Sequence, residues 1–189
     1  ASQIAAEGVP EEVFDYYNAL LADQHATTLR QSNTKEGRTQ TISGTGEVSI
    51  EAVSLRNIHN ESIEVLTVGQ TAKICVGVLA HTSVDCLVLG YSIKDRLGQV
   101  MYGTNTALTK QALGRVNAGD RFDFEILFDA TLGPGSYSIQ LALVGSDTHL
   151  QRNYEWRDLA LVFNVIQNAQ DAAFVGCNWM PSTIEIHAR

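Results

Sequence analysis

Positive charge is scarce in this chain. Thirteen Lys and Arg stand against 21 Asp and Glu, a formal net charge of -8. Affinity for nucleic acid rests largely on Lys and Arg neutralising phosphate, so an acidic chain is a poor general partner for it. Adsorption to anionic lipid is disfavoured for the same reason. Long apolar runs are missing as well. No stretch approaches the roughly 20 apolar residues of a membrane-spanning helix, and no secretory signal is visible. Cysteine is limited to Cys75, Cys86 and Cys177, an odd number at spacings that match no zinc pattern. They read as reduced thiols, with a Cys75–Cys86 bridge as the alternative.

The motifs of several enzyme classes are absent too. There is no phosphate loop of the form G-x-x-x-x-G-K-[ST], no G-x-S-x-G and no H-E-x-x-H. The five histidines, His25, His59, His81, His149 and His187, are scattered without metal-ligand spacing. No carboxylate pair is singled out for glycoside hydrolysis. Glu155 and Asp158 flank Trp156 and Arg157 and read as a solvated strand start. No cofactor is expected.

What is present is a globular composition, 44% hydrophobic, in a length that suits one domain plus an extension. Residues 9–24 predict a helix: Pro10 suits the first helical position, and Val13, Phe14, Tyr17, Leu20 and Leu21 share one stripe. Residues 25–46 are rich in Thr, Ser and Gly and read as a linker, which gives a division into 1–46 and 47–189. From residue 47 the apolar period becomes two. Val48/Ile50/Ala52, Ile74/Val76/Val78, Leu87/Leu89/Tyr91/Ile93, Phe122/Phe124/Ile126/Phe128, Tyr137/Ile139/Leu141/Leu143 and Leu159/Leu161/Phe163/Val165 each alternate with a second set. Short alternating strands with turn residues between them predict an all-β fold, an immunoglobulin-like antiparallel β-sandwich with a short N-terminal helix. Asp95-Arg96-Leu97-Gly98 predicts a hairpin turn. Tyr137, just after Gly133-Pro134-Gly135, resembles a tyrosine corner. Thr183–His187 predicts a last strand after a long connection, placed to pair within its own sheet or to reach a second copy.

The second faces of these strands are not uniformly polar. Cys86, Val88, Gly90 and Ser92 share one, and Ala142 and Val144 lie opposite their core neighbours. Small, mildly apolar outer residues imply a cover: the N-terminal helix, the last strand, a second subunit or an extended ligand. Two clusters carry the chemistry of sugar binding, in which a ring covers the apolar face of a pyranose and polar groups take its hydroxyls. One is the stretch 90–106, with Lys94, Asp95 and Arg96 at its turn and Tyr102, Thr104, Asn105 and Thr106 after it. The other is Asn153-Tyr154-Glu155-Trp156-Arg157-Asp158. The candidate contacts are Tyr91, Tyr102 and Trp156 as stacking rings, and Lys94, Asn105 and Arg157 as polar groups.

The same clusters carry a family resemblance. Gly90-Tyr91-Ser92-Ile93-Lys94-Asp95, then Gly98-Gln99-Val100-Met101-Tyr102-Gly103-Thr104-Asn105-Thr106, then Gly133-Pro134-Gly135-Ser136-Tyr137 and Trp156-Arg157-Asp158-Leu159 resemble the C-terminal domain of Wzt. Wzt is the ATP-binding subunit of ABC transporters that export O-antigen polysaccharide. The resemblance implies a carbohydrate-binding, non-catalytic piece, with the ATPase domain upstream of Ala1. It implies O-antigen as the ligand, recognised through a modified non-reducing end. It implies a homodimer, with the strand at 183–187 a candidate for exchange, and a membrane permease subunit as a partner of the full-length protein. The location implied is cytoplasmic, at the inner face of the bacterial inner membrane. Two other readings compete: a dimerisation module without glycan affinity, and an enzyme that trims or caps glycan.

Overall fold

The computed structural model describes residues 28–33, 39–145, 152–171 and 173–188, with isolated residues 7 and 13. Apart from Val13, the helix expected over 9–24 lies outside the described residues. The described chain forms ten strands: β1 (Thr28–Asn33), β2 (Thr39–Gly44), β3 (Val48–Asn57), β4 (Val65–Thr67), β5 (Thr71–Ala80), β6 (Val88–Asp95), β7 (Val100–Asn105), β8 (Arg121–Asp129), β9 (Gly135–Val144) and β10 (Asn153–Ile166). Period-two alternation drives them, because one face of each strand can then be buried while the other is not. The strands assemble into a seven-stranded sheet, β1-β2-β10-β9-β6-β7 with β4 beside the far half of β10, and a three-stranded sheet, β3-β5-β8. All pairings are antiparallel except β4 with β10.

Val48, Ile74, Val76, Leu89, Ile139, Leu141, Leu143 and Phe163, with others, fill the space between the two sheets. The predicted sandwich core is therefore present on most of the predicted alternate positions; Ala52 is an exception, because the bulge at Ile50/Ala52 turns it outward and brings Val53 and Leu55 to the core instead. The hairpin at Asp95–Gly98 is present too: Asp95 Oδ1 accepts from the amides of Leu97 and Gln99, and Gly98 takes the positive φ of 78°. Tyr137 donates its hydroxyl to the Gly133 carbonyl at 2.8 Å, the corner bond expected from sequence. All three cysteines are free, so no Cys75–Cys86 bridge forms.

Two expectations change. The stretch read as a linker carries β1 and β2, which extend the large sheet beyond β10. Its Thr41 and Ser43 are buried, so a polar composition here marks sheet rather than tether. Among the described residues, Thr183–His187 pairs with no strand. The segment leaves the sandwich after Trp179, whose amide donates to the Thr131 carbonyl and whose ring lies over Gly69. Beyond it Ile184 and Ile186 are 85% and 91% exposed.

Candidate functional site

The register of the large sheet lines up four residues in a row. Asn105 on β7 pairs with Gly90 on β6, Gly90 with Ala142 on β9, and Ala142 with Trp156 on β10. Three strand spacings make this row about 14 Å long. All four lie on the outer face: a Cβ built on Gly90 would sit 3.6 Å from that of Asn105 and 3.8 Å from that of Ala142, and Ala142 packs with Trp156. The next row begins Gly103–Ser92–Gln140. A groove of about 240 Å³ results, with Gly90, Gly103, Ser92 and Ala142 as its floor and Leu108, Asn105 and Gln140 around it. The Ser92 Oγ is buried in that floor and finds no partner among the described residues.

The cover expected over this apolar face comes in part from the chain itself. Val88, Ala142 and Val144 form a second small cluster, closed by Cys86, Ala107 and Trp156. Ala107 arrives on the turn after β7, which Asn105 organises: its Oδ1 accepts from the Leu108 amide at 2.8 Å. Asn105 is left with its NH2 to offer a ligand.

A second cavity, about 420 Å³, opens between the two sheets where edge strand β7 faces edge strand β8. Tyr91 and Tyr102 line it, their ring centroids 6.0 Å apart and tilted by 49°. Burial, chiefly, and the neighbouring Tyr102 push the Tyr91 hydroxyl up to about 12, so it stays protonated through the physiological range.

The Wzt C-terminal domain profile matches residues 39–180. The chain belongs to the Wzt C-terminal domain family. The crystal structure of the C-terminal domain of Wzt matches with a TM-score of 0.69 at 20% identity, over 84% of this chain and 93% of that one. A CARDB domain from Pyrococcus furiosus matches at a TM-score of 0.38 and 14% identity, over 65% of this chain and 97% of that one. A β-glucosidase from Listeria innocua reaches 0.34 at 9% identity, over 68% of this chain and 16% of that one, and likenesses this weak bear on nothing further. No curated protein matches. The family is associated with polysaccharide export by ABC transporters, as a non-catalytic domain of a transporter subunit. Among the described residues no helix is long and apolar enough to cross a membrane.

Within this Wzt C-terminal domain the six sequence candidates fall into three places. Asn105 lines the outer groove, and Trp156 lies one strand beyond its Ala142 edge, packed against the Val88, Ala142 and Val144 cluster. Tyr91 and Tyr102 line the inter-sheet mouth. Lys94 and Arg157 are engaged elsewhere. Lys94 is 6% exposed and pairs with Asp158, itself 2% exposed, at 3.2 Å. Arg157 points to the core side of β10, where its Nη2 donates to the Ile50 carbonyl at 2.8 Å and its Nε to Glu155 at 2.8 Å. Glu155 in turn accepts from the Ile50 amide. The two side chains together clasp β3 beside its bulge at Ile50/Ala52. Glu155 and Asp158 are thus buried partners rather than a solvated strand start.

Arg157→Ala is accordingly expected to act on stability. It removes the bond to Ile50 and strands Glu155, a loss of roughly 2–4 kcal/mol on the scale of broken, mostly buried pairs. Urea unfolding of the variant should show the midpoint falling with little change in slope. What sequence reasoning did not single out is the floor: Gly103, Gln140 and the Ser92 hydroxyl. The signal was partly present, since Gly90 and Ser92 were already assigned to an outer face lacking bulk.

Proposed function

We propose that this domain binds O-antigen polysaccharide in the outer groove between Asn105 and Ala142 and so delivers the finished chain to an ABC exporter. The observation that carries the reading is the floor. Gly90, Gly103, Ser92 and Ala142 line a trough of small residues on the outer sheet face, with Asn105 and Gln140 beside it. The adjoining Trp156, Leu108 and Ala142 supply apolar surface for a ring face, and Asn105 and Gln140 supply donors and acceptors for its hydroxyls.

The groove also selects by charge. None of the nine described residues lining it is ionisable in the physiological range, and the two nearby sequence candidates with positive charge are held by carboxylates. A chain of net charge -8 adds a repulsive field for anions. The sugar held here is therefore uncharged. A volume of about 240 Å³ lies below the range of pockets for drug-sized ligands and fits a terminal unit, which suits recognition of the modified non-reducing end. Holding that end beside the transporter raises its local concentration and couples export to completion of the chain. The domain works at the cytoplasmic face of the inner membrane, joined to the permease subunit through the rest of its own subunit.

Calorimetric titration with the source organism's O-polysaccharide, intact and with its terminal group removed, tests this reading. Binding to the intact chain alone is the expected result. Equal binding to both would replace end recognition by an open groove that reads internal repeats. Binding to neither would favour the second reading, a dimerisation module. That reading has its own observation: the tail beyond Trp179 exposes Met180, Ile184 and Ile186 and pairs with no strand among the described residues. A homodimer formed by exchanging the strand at 183–187 would cover them. Truncation after Trp179 is expected to convert a dimer into a folded monomer, read by light scattering, and an unchanged dimer would contradict exchange.

A further inference from the structure

The groove ends at the free edge of the large sheet, and the inter-sheet mouth begins directly behind that edge. Among the described strands β7 is the last, bonded only to β6. Its residues alternate between the two cavities. Gly103 and Asn105 pair with Ser92 and Gly90 and face the groove, while Tyr102 and Thr104 pair with Ile93 and Tyr91 and face the mouth. Tyr91, Thr104 and Asn105 line both spaces. The two cavities are thus separated by the thickness of one strand.

The mouth has the chemistry of a sugar subsite. Tyr102 is 52% exposed, a large ring left open to solvent beside the half-buried Tyr91. Phe124 and Ile126 of β8, packed on the core, supply an apolar floor. Thr109 and Gln111 stand on one side, and on the other Glu125 is held in place by Lys73 at 3.2 Å. A ring with an apolar floor and a hydroxyl, amide and carboxylate rim matches the two-sided surface of a pyranose. The core does not require this exposure, and an edge strand left uncovered is a liability that folds usually avoid.

We propose that the mouth is a second glycan subsite and that the polysaccharide straddles β7, its terminal sugar in the outer groove and a preceding sugar against Tyr102. The inference rests on the groove reading above. Two weak sites on one chain act together, because filling the first sets a high effective concentration at the second. Affinity should then climb with glycan length until both are filled, and Tyr102 should matter only to chains long enough to reach it.

The test uses the 189-residue chain and fragments of the source organism's O-polysaccharide that keep the non-reducing end, prepared by partial hydrolysis and sorted by length. Affinity is measured for the parent, Tyr102→Ala and Tyr102→Phe. Half-exposed Tyr102 is replaceable without loss of core, and near-UV circular dichroism verifies the fold. The expected result is that Tyr102→Ala weakens long fragments by about tenfold or more, within the gain that linked sites provide, leaves the shortest unchanged, and that Tyr102→Phe keeps most of the long-chain affinity. A parent that binds short and long fragments equally, or a Tyr102→Ala loss that is absent or the same at every length, overturns the straddle and leaves the groove reading standing. No binding by the parent at any length overturns both.

Discussion

Gly90→Ala will fold at least as well as the parent and will lose most of its glycan affinity. Gly90 lies mid-strand without a positive φ, so the backbone suits any residue. The added methyl would meet the Cβ atoms of Asn105 and Ala142 at 3.6 and 3.8 Å, ordinary van der Waals contact. Replacing a strand glycine under those conditions gains roughly 0.5–1 kcal/mol, through reduced freedom of the unfolded chain. The same methyl stands on the groove floor, where a sugar ring would lie. A loss of about tenfold in affinity, equivalent to about 1.4 kcal/mol, is expected, and Gly90→Val should deepen it. Thermal unfolding and titration on the same preparation separate the two effects. Gly103→Ala is a poorer probe, because its methyl would lie 3.3 Å from Ser92 Cβ and from the Tyr91 carbonyl, forcing the floor to shift. A stable Gly90→Ala variant with full affinity would move the ligand off this face.

Asp158→Ala will be among the most destabilising single substitutions in the domain. Lys94 and Asp158 are both nearly inaccessible, 64 residues apart in sequence and 3.2 Å apart in space. Removing the carboxylate leaves an ammonium group in a site it cannot leave cheaply, a cost of about 3–5 kcal/mol for buried pairs. The attraction within the pair is offset by the desolvation of both ions, so the pair itself adds little. Replacing both, as Lys94→Met with Asp158→Leu, is therefore expected to recover most of the loss. Urea midpoints of the parent, the two single variants and the double variant form the cycle that measures this. A double variant no better than Asp158→Ala would show that the two side chains act separately.

The strands of the core were legible because burial on one side imposes a period of two, and Ile74, Val76, Val78 and their counterparts obey it. β1 and β2 were not, because each holds a single bulky apolar residue, Leu29 and Ile42, too few to show a period; TLRQSN and TQTISG form strand by extending an existing sheet, which the ladder to β10 reveals. Ile184 and Ile186 alternate as a strand should, yet alternation says nothing about which strand receives them. The site divided in the same way. Tyr91, Tyr102, Asn105 and Trp156 were candidates on their chemistry alone, and of these Tyr91, Tyr102 and Asn105 line the two cavities. That Asn105 and Trp156 close one row depends on the register of three strand pairs, and that Lys94 and Arg157 are held by carboxylates depends on contacts between distant segments. Outward alternation alone makes Lys94 appear to be a surface cation.

The central claim is that a glycan occupies the outer face at Gly90, Gly103 and Ala142, and backbone amide chemical shifts read that location directly. The domain, labelled with nitrogen-15, would be titrated with the source organism's O-polysaccharide fragments. The account predicts that the largest shifts fall on Gly90, Ser92, Gly103 and Ala142 and on the Trp156 indole, while the small sheet and the segment beyond Trp179 stay still. Shifts concentrated on the outer face of β3, β5 and β8, or in the tail at 180–188, with the groove amides unmoved, would contradict it.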